Sequence, residues 1–239
     1  MDIKRQYFDL IEERIKAVYE CEHEKYKEVA KLFGECMENL GVVQLFGVNH
    51  GEEFVNELNY RAGGIAPYHG LKFKDLMLAG KVDQKDIDSG EILNDASAVD
   101  KFFEFYQMDD RDMICLVSYY GNEPVVLALA KRYKENGQKV VAVINKKSYD
   151  KTGSNLLDYC DMWLDMGADD PDVAMHIGDT AIGQLSSTTA NVIAQMLTAE
   201  VYNYYVSSGK EAPVLLSANI KGADVHNNSL TDPYERRVR

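Results

Sequence analysis

Apolar and polar positions divide the chain into two regimes. From residue 3 to about residue 39 apolar side chains recur at helical spacing, as Tyr7, Leu10, Ile11, Ile15 and Val18 and then as Val29, Phe33 and Met37. This predicts two helices, each burying one face and exposing dense charge on the other. The buried face is expected to meet a sheet or a second subunit. Gly41 ends the region. Beyond it lie short apolar runs. Residues 42–46, closed by Gly47, 113–117, 139–144 and the shorter 162–165 read as strands. The run 113–117 is nearly unbroken, as suits a strand covered on both faces.

Helical segments fall between these runs. One is predicted over 52–61, stopped by Gly63 and Gly64. Another starts at Pro124, in the first turn, and runs to about Asn136 with Gly137 as its cap. A long one spans about 189–206, with Ser187 or Thr188 as its cap. Residues 65–108 predict only one or two short helices, broken at Gly80 and Gly90. The tail from Pro213 reads as irregular up to a short terminal helix. Strands alternating with helices at this spacing predict βαβ units and a mostly parallel sheet. Right-handed crossovers then place helices on both faces, a three-layer α/β/α arrangement. Ligands of such sheets bind beyond the carboxyl ends of the strands. No repeat, low-complexity run or linker divides the chain. The organisation expected is an N-terminal helical arm, 1–40, and one domain, 41–239.

Composition narrows the partners. With 239 residues, 46% hydrophobic and 27% charged, the chain can bury a full core. A net charge of -13 repels nucleic acid and anionic membranes, so neither is an expected partner. It also repels a phosphorylated ligand, which must then be held locally by backbone N–H groups or a few placed side chains. Cys21, Cys36, Cys115 and Cys160 form no CxxC pair, and Cys115, inside an apolar run, reads as a buried thiol. The amphipathic N-terminus lacks the apolar core of a signal peptide, and no stretch is long enough to span a bilayer. A cytoplasmic location is expected.

Three segments carry candidate chemistry. In 46–52 glycines flank Val48, Asn49 and His50, so Gly47, Asn49 and Gly51 can turn the chain and expose N–H groups at a helix start, an anion site. A plain tight turn accounts for the same residues. In 117–124, Ser118 follows a buried strand, and Tyr120, Gly121 and Asn122 lead into Glu123 and Pro124, where Asn122 or Glu123 can cap the helix. Ser186, Ser187, Thr188 and Thr189 put four hydroxyls at the start of the long helix; one suffices as a cap, and the others can donate to a phosphate. One sheet would bring all three segments to the same edge.

The order of these segments resembles the sugar isomerase (SIS) domain family, over nearly the whole chain. The specific matches are 43–51 (VQLFGVNHG) followed by 56–64 (NELNYRAGG), and 217–227 (SANIKGADVHN) in the tail. They are similar to FGTGHS, EELFYRAGG and SANxxGADEHN in a group of bacterial SIS-domain proteins. Where the family has glycine and serine in the first loop, this chain has Asn49 and Gly51. Where the family has SNSGRNP in the second loop, Tyr120 replaces a serine and Asn122 an arginine. The resemblance implies a flavodoxin-like SIS sheet, a small phosphorylated sugar as ligand, no cofactor and a homodimer. The ligand contacts it implies are Gly47, Asn49 and Gly51, Ser118, Tyr120, Gly121 and Asn122, and Ser186, Ser187 and Thr188. The activity it implies is aldose–ketose isomerisation; a module that senses a sugar metabolite without turnover is the alternative.

An isomerase needs a base to move a proton between adjacent carbons and an acid/base group to open the ring. Glu57, on the helix after the first loop, is the candidate base, as the resemblance places a glutamate on the corresponding helix. An i,i+4 salt bridge with Arg61 is the plain alternative. His50 in the first loop and His226 in the tail can titrate near neutrality, His226 by completing a neighbouring subunit's site, and each also reads as a structural histidine. His23, His69 and His176 have no supporting context, and the five histidines show no metal-ligand spacing. Asp169-Asp170 and the run 109–112 (DDRD) read as solvated surface. Tyr202, Tyr204 and Tyr205 read as core or dimer contacts.

Overall fold

Apolar runs dictate the sheet of this protein, whose computed structural model describes residues 2–168, 172–173, 175–235 and 237–238. β1 (Val43–Gly47), β3 (Met113–Ser118) and β4 (Val140–Ile144) are buried along their whole length. β5 (Met162–Asp165) and the three-residue β2 (Tyr68–Gly70) complete a five-stranded sheet. Its order is β2-β1-β3-β4-β5, and every pairing is parallel. This is the doubly wound, flavodoxin-like order, in which the chain reverses direction between β1 and β3 and leaves a crevice at their carboxyl ends.

Side chains alternate across the strands and so feed two cores. Val43, Leu45, Cys115, Val117 and Val143 pack against one set of helices. That set holds α1 (Ile3–Cys21), α2 (His23–Glu38), α3 (Gly51–Leu58) and α9 (Ser186–Ser207). Phe46, Ile114, Leu116, Ala142 and Ile144 serve the other face. It is covered by α4 (Phe73–Leu78), α6 (Ala98–Phe105) and α7 (Pro124–Glu135), with α5 (Gln84–Asp88) beside them. The buried face of α2 meets α9 and the sheet of its own chain. At Gly34 an added Cβ would lie 2.3 Å from the Tyr204 ring, so glycine permits the close approach of α2 and α9. Tyr205 is buried, Tyr204 partly so, and Tyr202 exposed.

Several expectations are corrected. Residues 65–108 hold β2, three short helices and a 3-10 turn at Glu91–Asn94 rather than one or two helices, although Gly80 and Gly90 do break them at φ 71° and 76°. α3 stops at Leu58, because Asn59 turns out to accept the Gly70 N–H (2.9 Å) and Tyr60 takes a left-handed φ of 45°. The polar stretch before α9 forms an antiparallel hairpin, β6 (Met175–Ile177) and β7 (Thr180–Ile182). After β4 comes one turn of helix, α8 (Lys146–Tyr149). The tail is anchored by pairing of Ile65 with Val214 and contains α10 (Ala223–Thr231). Asp112, expected on the surface, is buried and bonded to Gln44 and Arg237. Asp169-Asp170 lies outside the described residues. No described helix is long and apolar enough to cross a membrane.

Tyr68 is fully buried, and its hydroxyl has no hydrogen-bond partner among the described residues. Such an orphan costs about 1–3 kcal/mol of desolvation. Tyr68→Phe keeps the ring against Phe33 and removes the orphan. The variant is expected to gain about 1 kcal/mol in urea unfolding; a loss of that size would mean the hydroxyl is satisfied.

Candidate functional site

The first loop is built by backbone crowding. Asn49 turns it at φ 52°, a left-handed conformation that asparagine tolerates better than most residues. Gly51 N–H closes on Val48 O (2.8 Å), and Val48 N–H reaches across to Val117 O (3.0 Å) at the end of β3. A Cβ on Gly47 would lie 2.2 Å from Gly51 O, and one on Gly51 2.4 Å from Val117 O. Neither position admits a side chain without moving backbone. The His50 ring meets the Ser187 hydroxyl at 3.1 Å. Loop 47–51, the end of β3 and the start of α9 therefore do meet at the carboxyl edge, beside the β1–β3 crevice.

The chain's own carboxylates occupy two of the three segments. Ser118 Oγ donates to Glu123 Oε2 (2.6 Å) and accepts the Gly121 N–H (2.7 Å). Glu123 holds the N-cap position of α7, one of the two places expected, but its side chain makes no cap bond. At α9 no side chain of Ser187 or Thr188 caps the helix. Asp172 does that work: its Oδ1 accepts the N–H groups of Leu185 (3.0 Å) and Ser186 (3.1 Å), and its Oδ2 accepts the Ser186 hydroxyl. Gly121 is left-handed (φ 64°) and packs on Tyr149, Tyr119 is buried, and Tyr120 is exposed with its ring edge-to-face on Tyr119.

The candidate residues open onto different spaces. Gly47 and Asn49 line a cavity of 590 Å³ between α3, the end of β2, α4 and α5, with Glu52, Asn56 and Lys72, and farther along Lys74, Gln84 and Asp88, among its polar groups and Phe46 and Phe73 among its apolar walls. Lys72 Nζ donates to Asn56 Oδ1 (2.9 Å). Burial, with the neighbouring Glu53, raises the pKa of the Glu52 carboxyl against the opposing pull of Lys72. Ser187, Thr188 and Glu57 instead line a shallow groove between α3 and α9, where the Asn191 Oδ1 is buried without a partner among the described residues. Glu57 is paired with Arg61, and it accepts Gln195 Nε2 at 2.6 Å. Ser118, Tyr120, Gly121 and Asn122 line neither space. His226 sits on α10, its Nε2 against Val214 O (2.9 Å), beside residues 63–66 ahead of β2 and so toward the amino end of the sheet.

Glu52, Asn56, Lys72 and Asp172 were missed in the sequence. Lys72 follows a strand too short to show alternation. Asp172 acts on a helix that begins 14 residues later, and no local capping pattern spans that distance.

A sequence model of the SIS domain matches residues 6–145, more than half of the chain. A UPF0309 protein of Halalkalibacterium halodurans is 28% identical over 240 residues, covering 97% of this chain and 94% of that protein. Among solved structures, a phosphoheptose isomerase from Francisella tularensis superposes with a TM-score of 0.56 at 13% identity, over 84% of this chain and 96% of its own. The Vibrio vulnificus NanR protein complexed with ManNAc-6P superposes at 0.54 and 14% identity, over 98% of this chain and 70% of its own. At these identities the two structures speak for the fold.

Proposed function

This chain belongs to the SIS domain family, and from that premise we propose that it binds a small phosphorylated sugar at the carboxyl edge of β1 and β3. The observation that carries the reading is the His50–Ser187 contact (3.1 Å), which together with the Val48–Val117 bond closes the first loop against both other segments. The phosphate lies against loop 47–51, and the sugar ring enters the adjoining 590 Å³ cavity, which Phe46 and Phe73 help to wall, within reach of Asn49, Asn56 and Lys72. That volume is in the range of small-ligand sites.

Sensing without turnover is the use we favour. Glu57 is held by Arg61 and Gln195 in the open groove, and His226 is held by Val214. Within one chain Glu57 and His226, two of the three expected acid/base groups, do not face one ligand, and His50 is bonded to Ser187. A specific observation favours isomerisation as the second reading: Glu52 lines the ligand cavity with a raised pKa, the property a base near neutrality needs. A homodimer is part of the proposal, and exposed Tyr202 and Val206 on α9 with Phe8 on α1 support it; sedimentation as a monomer at micromolar concentration counts against it.

Binding is tested by thermal shift with hexose, hexosamine and heptulose phosphates. At a ligand concentration 100 times the Kd the folded state gains about 2.7 kcal/mol, a clear rise in Tm, and Ser187→Ala reduces it. No rise with any member of the panel defeats the reading. Solvent deuterium entering at C2 of the bound sugar, lost in Glu52→Gln, supports the enzyme; binding without exchange supports the sensor. Glu123 accepts the hydroxyl of Ser118, the neighbour of the Val117 carbonyl that holds the first loop, so an anion against that loop would feel its charge, and Glu123→Gln is expected to tighten sugar-phosphate binding by up to about tenfold at low salt. An unchanged Kd would put the phosphate elsewhere.

A further inference from the structure

A second cavity, of 890 Å³, lies beyond the edge strand β2, on the face that α4 and α6 cover. Gln44, Asn59, Tyr60, His69, Asp75 and Tyr106 are among its walls, and exposed Leu78 and Phe105 form part of its rim. It meets the loop cavity only at Lys72. None of the residues given a part in phosphosugar binding above faces it except that lysine.

A buried polar chain leads into this cavity. The Arg237 guanidinium donates to Asp112 Oδ1 (2.6 Å), Gln44 Nε2 donates to Asp112 Oδ2 (2.9 Å), and Gln44 Oε1 lies 2.9 Å from His69 Nδ1. The chemistry fixes the protons. A carboxylate paired with arginine only accepts, so the amide must turn its NH2 to Asp112 and its oxygen to His69. His69 Nδ1 must then carry hydrogen, and Nε2 is left with its lone pair. His69 is 9% exposed, its ring lines the cavity, and Nε2 has no hydrogen-bond partner among the described residues. Burial pushes the imidazole pKa down to about 4, so the ring stays neutral.

The other groups extend the pattern. The Tyr106 hydroxyl donates to Asp75 Oδ2 (2.8 Å) and accepts the Lys72 N–H (3.1 Å), which leaves Asp75 Oδ1 as an acceptor. Asn59 spends its oxygen on Gly70 N–H (2.9 Å), so its NH2 remains to donate. Of the two cations at the cavity, Arg237 is paired with Asp112 and bonded to Leu40 O, while Lys72 donates to the neutral Asn56 Oδ1 and keeps its charge at the border with the loop cavity. The space therefore offers two strong acceptors, one of them the Asp75 carboxylate, which has no ion-pair partner among the described residues, one amide donor, and an aromatic and aliphatic rim, with Lys72 at one border. That set suits a ligand rich in O–H or N–H donors, and the Asp75 charge disfavours a phosphate there.

We propose that this edge cavity is a second ligand site, specific for an unphosphorylated sugar or amino sugar whose hydroxyl or amino group donates to His69 Nε2. It is independent of the loop site: the loop site takes the phosphorylated ligand, and the edge site takes one without phosphate.

The test uses the full-length protein labelled with 15N-histidine and the probes D-glucose, D-glucosamine and D-glucose 6-phosphate. Without ligand, His69 should show a protonated Nδ1 and an unprotonated Nε2 from about pH 5 to about pH 8. Glucose or glucosamine should move the Nε2 resonance with saturation by about 20 mM, and glucose 6-phosphate should leave it in place. Asp75→Asn, which preserves an acceptor for Tyr106, should weaken the free sugar by about fivefold without changing the unfolding midpoint. The proposal is overturned by an Nε2 resonance that neither free sugar moves, by a proton on Nε2 in the free protein, or by an equal response to the phosphorylated probe. These readouts need no variant at His69 and do not depend on the loop site being occupied.

Discussion

Asp112→Ala is expected to remove about 3–5 kcal/mol of folding free energy. The carboxylate is fully buried, and each oxygen is used twice. Oδ1 accepts Val42 N–H (2.8 Å) and Arg237 Nη1 (2.6 Å), while Oδ2 accepts Gln44 Nε2 (2.9 Å) and Asp109 N–H (3.1 Å). Alanine leaves an almost buried guanidinium without its counter-charge and two backbone N–H groups without acceptors. It also frees Gln44 to rotate, so the His69 tautomer is lost with it. Asp112→Asn retains an acceptor and should cost about half as much. Asp110→Ala, two residues away and exposed, should stay within about 0.5 kcal/mol. Urea unfolding of the three variants decides the matter; a loss below about 1 kcal/mol for Asp112→Ala would show that the polar chain does not hold the tail to the sheet.

Gly47→Ala carries the second large effect, on binding as well as stability. The new Cβ would sit 2.2 Å from Gly51 O and 2.4 Å from its carbonyl carbon, and backbone cannot swing aside as a long side chain can. The loop must open, at a cost of about 1–3 kcal/mol, and its N–H groups leave their places. Loss of the thermal shift with sugar phosphates is the expected result. Two companion variants separate backbone packing from family resemblance. Asn49→Gly puts the family's glycine at a left-handed position (φ 52°) and should change stability by less than about 1 kcal/mol. Gly51→Ser puts back the family's serine, yet its Cβ would lie 2.4 Å from Val117 O, so no gain in affinity is expected. If Gly51→Ser binds sugar phosphate more tightly than the parent chain, the loop is looser than its geometry says and the account of Gly47 fails with it.

The sequence by itself determined four of the five strands of the central sheet and the long helices packed on it. β3, β4 and β5 fall within a residue or two of their expected limits because strands covered on both faces must be apolar at nearly every position. Pro124 at the start of α7 and Gly137 at φ 76° after it were equally legible, since each answers to the conformation of its own residue. The first loop, the second loop and the start of α9 could be assigned to one edge because parallel connections leave no other place for them.

Only the tertiary structure decided what fills that edge and what else the molecule offers. Glu123 folds back on Ser118, and Asp172 takes the N–H groups that the hydroxyl run before α9 was expected to satisfy. Lys72 and Glu52 face a common cavity from either side of a strand that shows no pattern. Asp112 left the surface because a guanidinium 125 residues away covers it, and His69 gained its direction from Gln44 on the neighbouring strand. A charged or polar side chain in a sequence looks the same whether water or a distant partner solvates it. Which of the two it finds depends on contacts between segments far apart in the chain, and those exist only once the chain has folded.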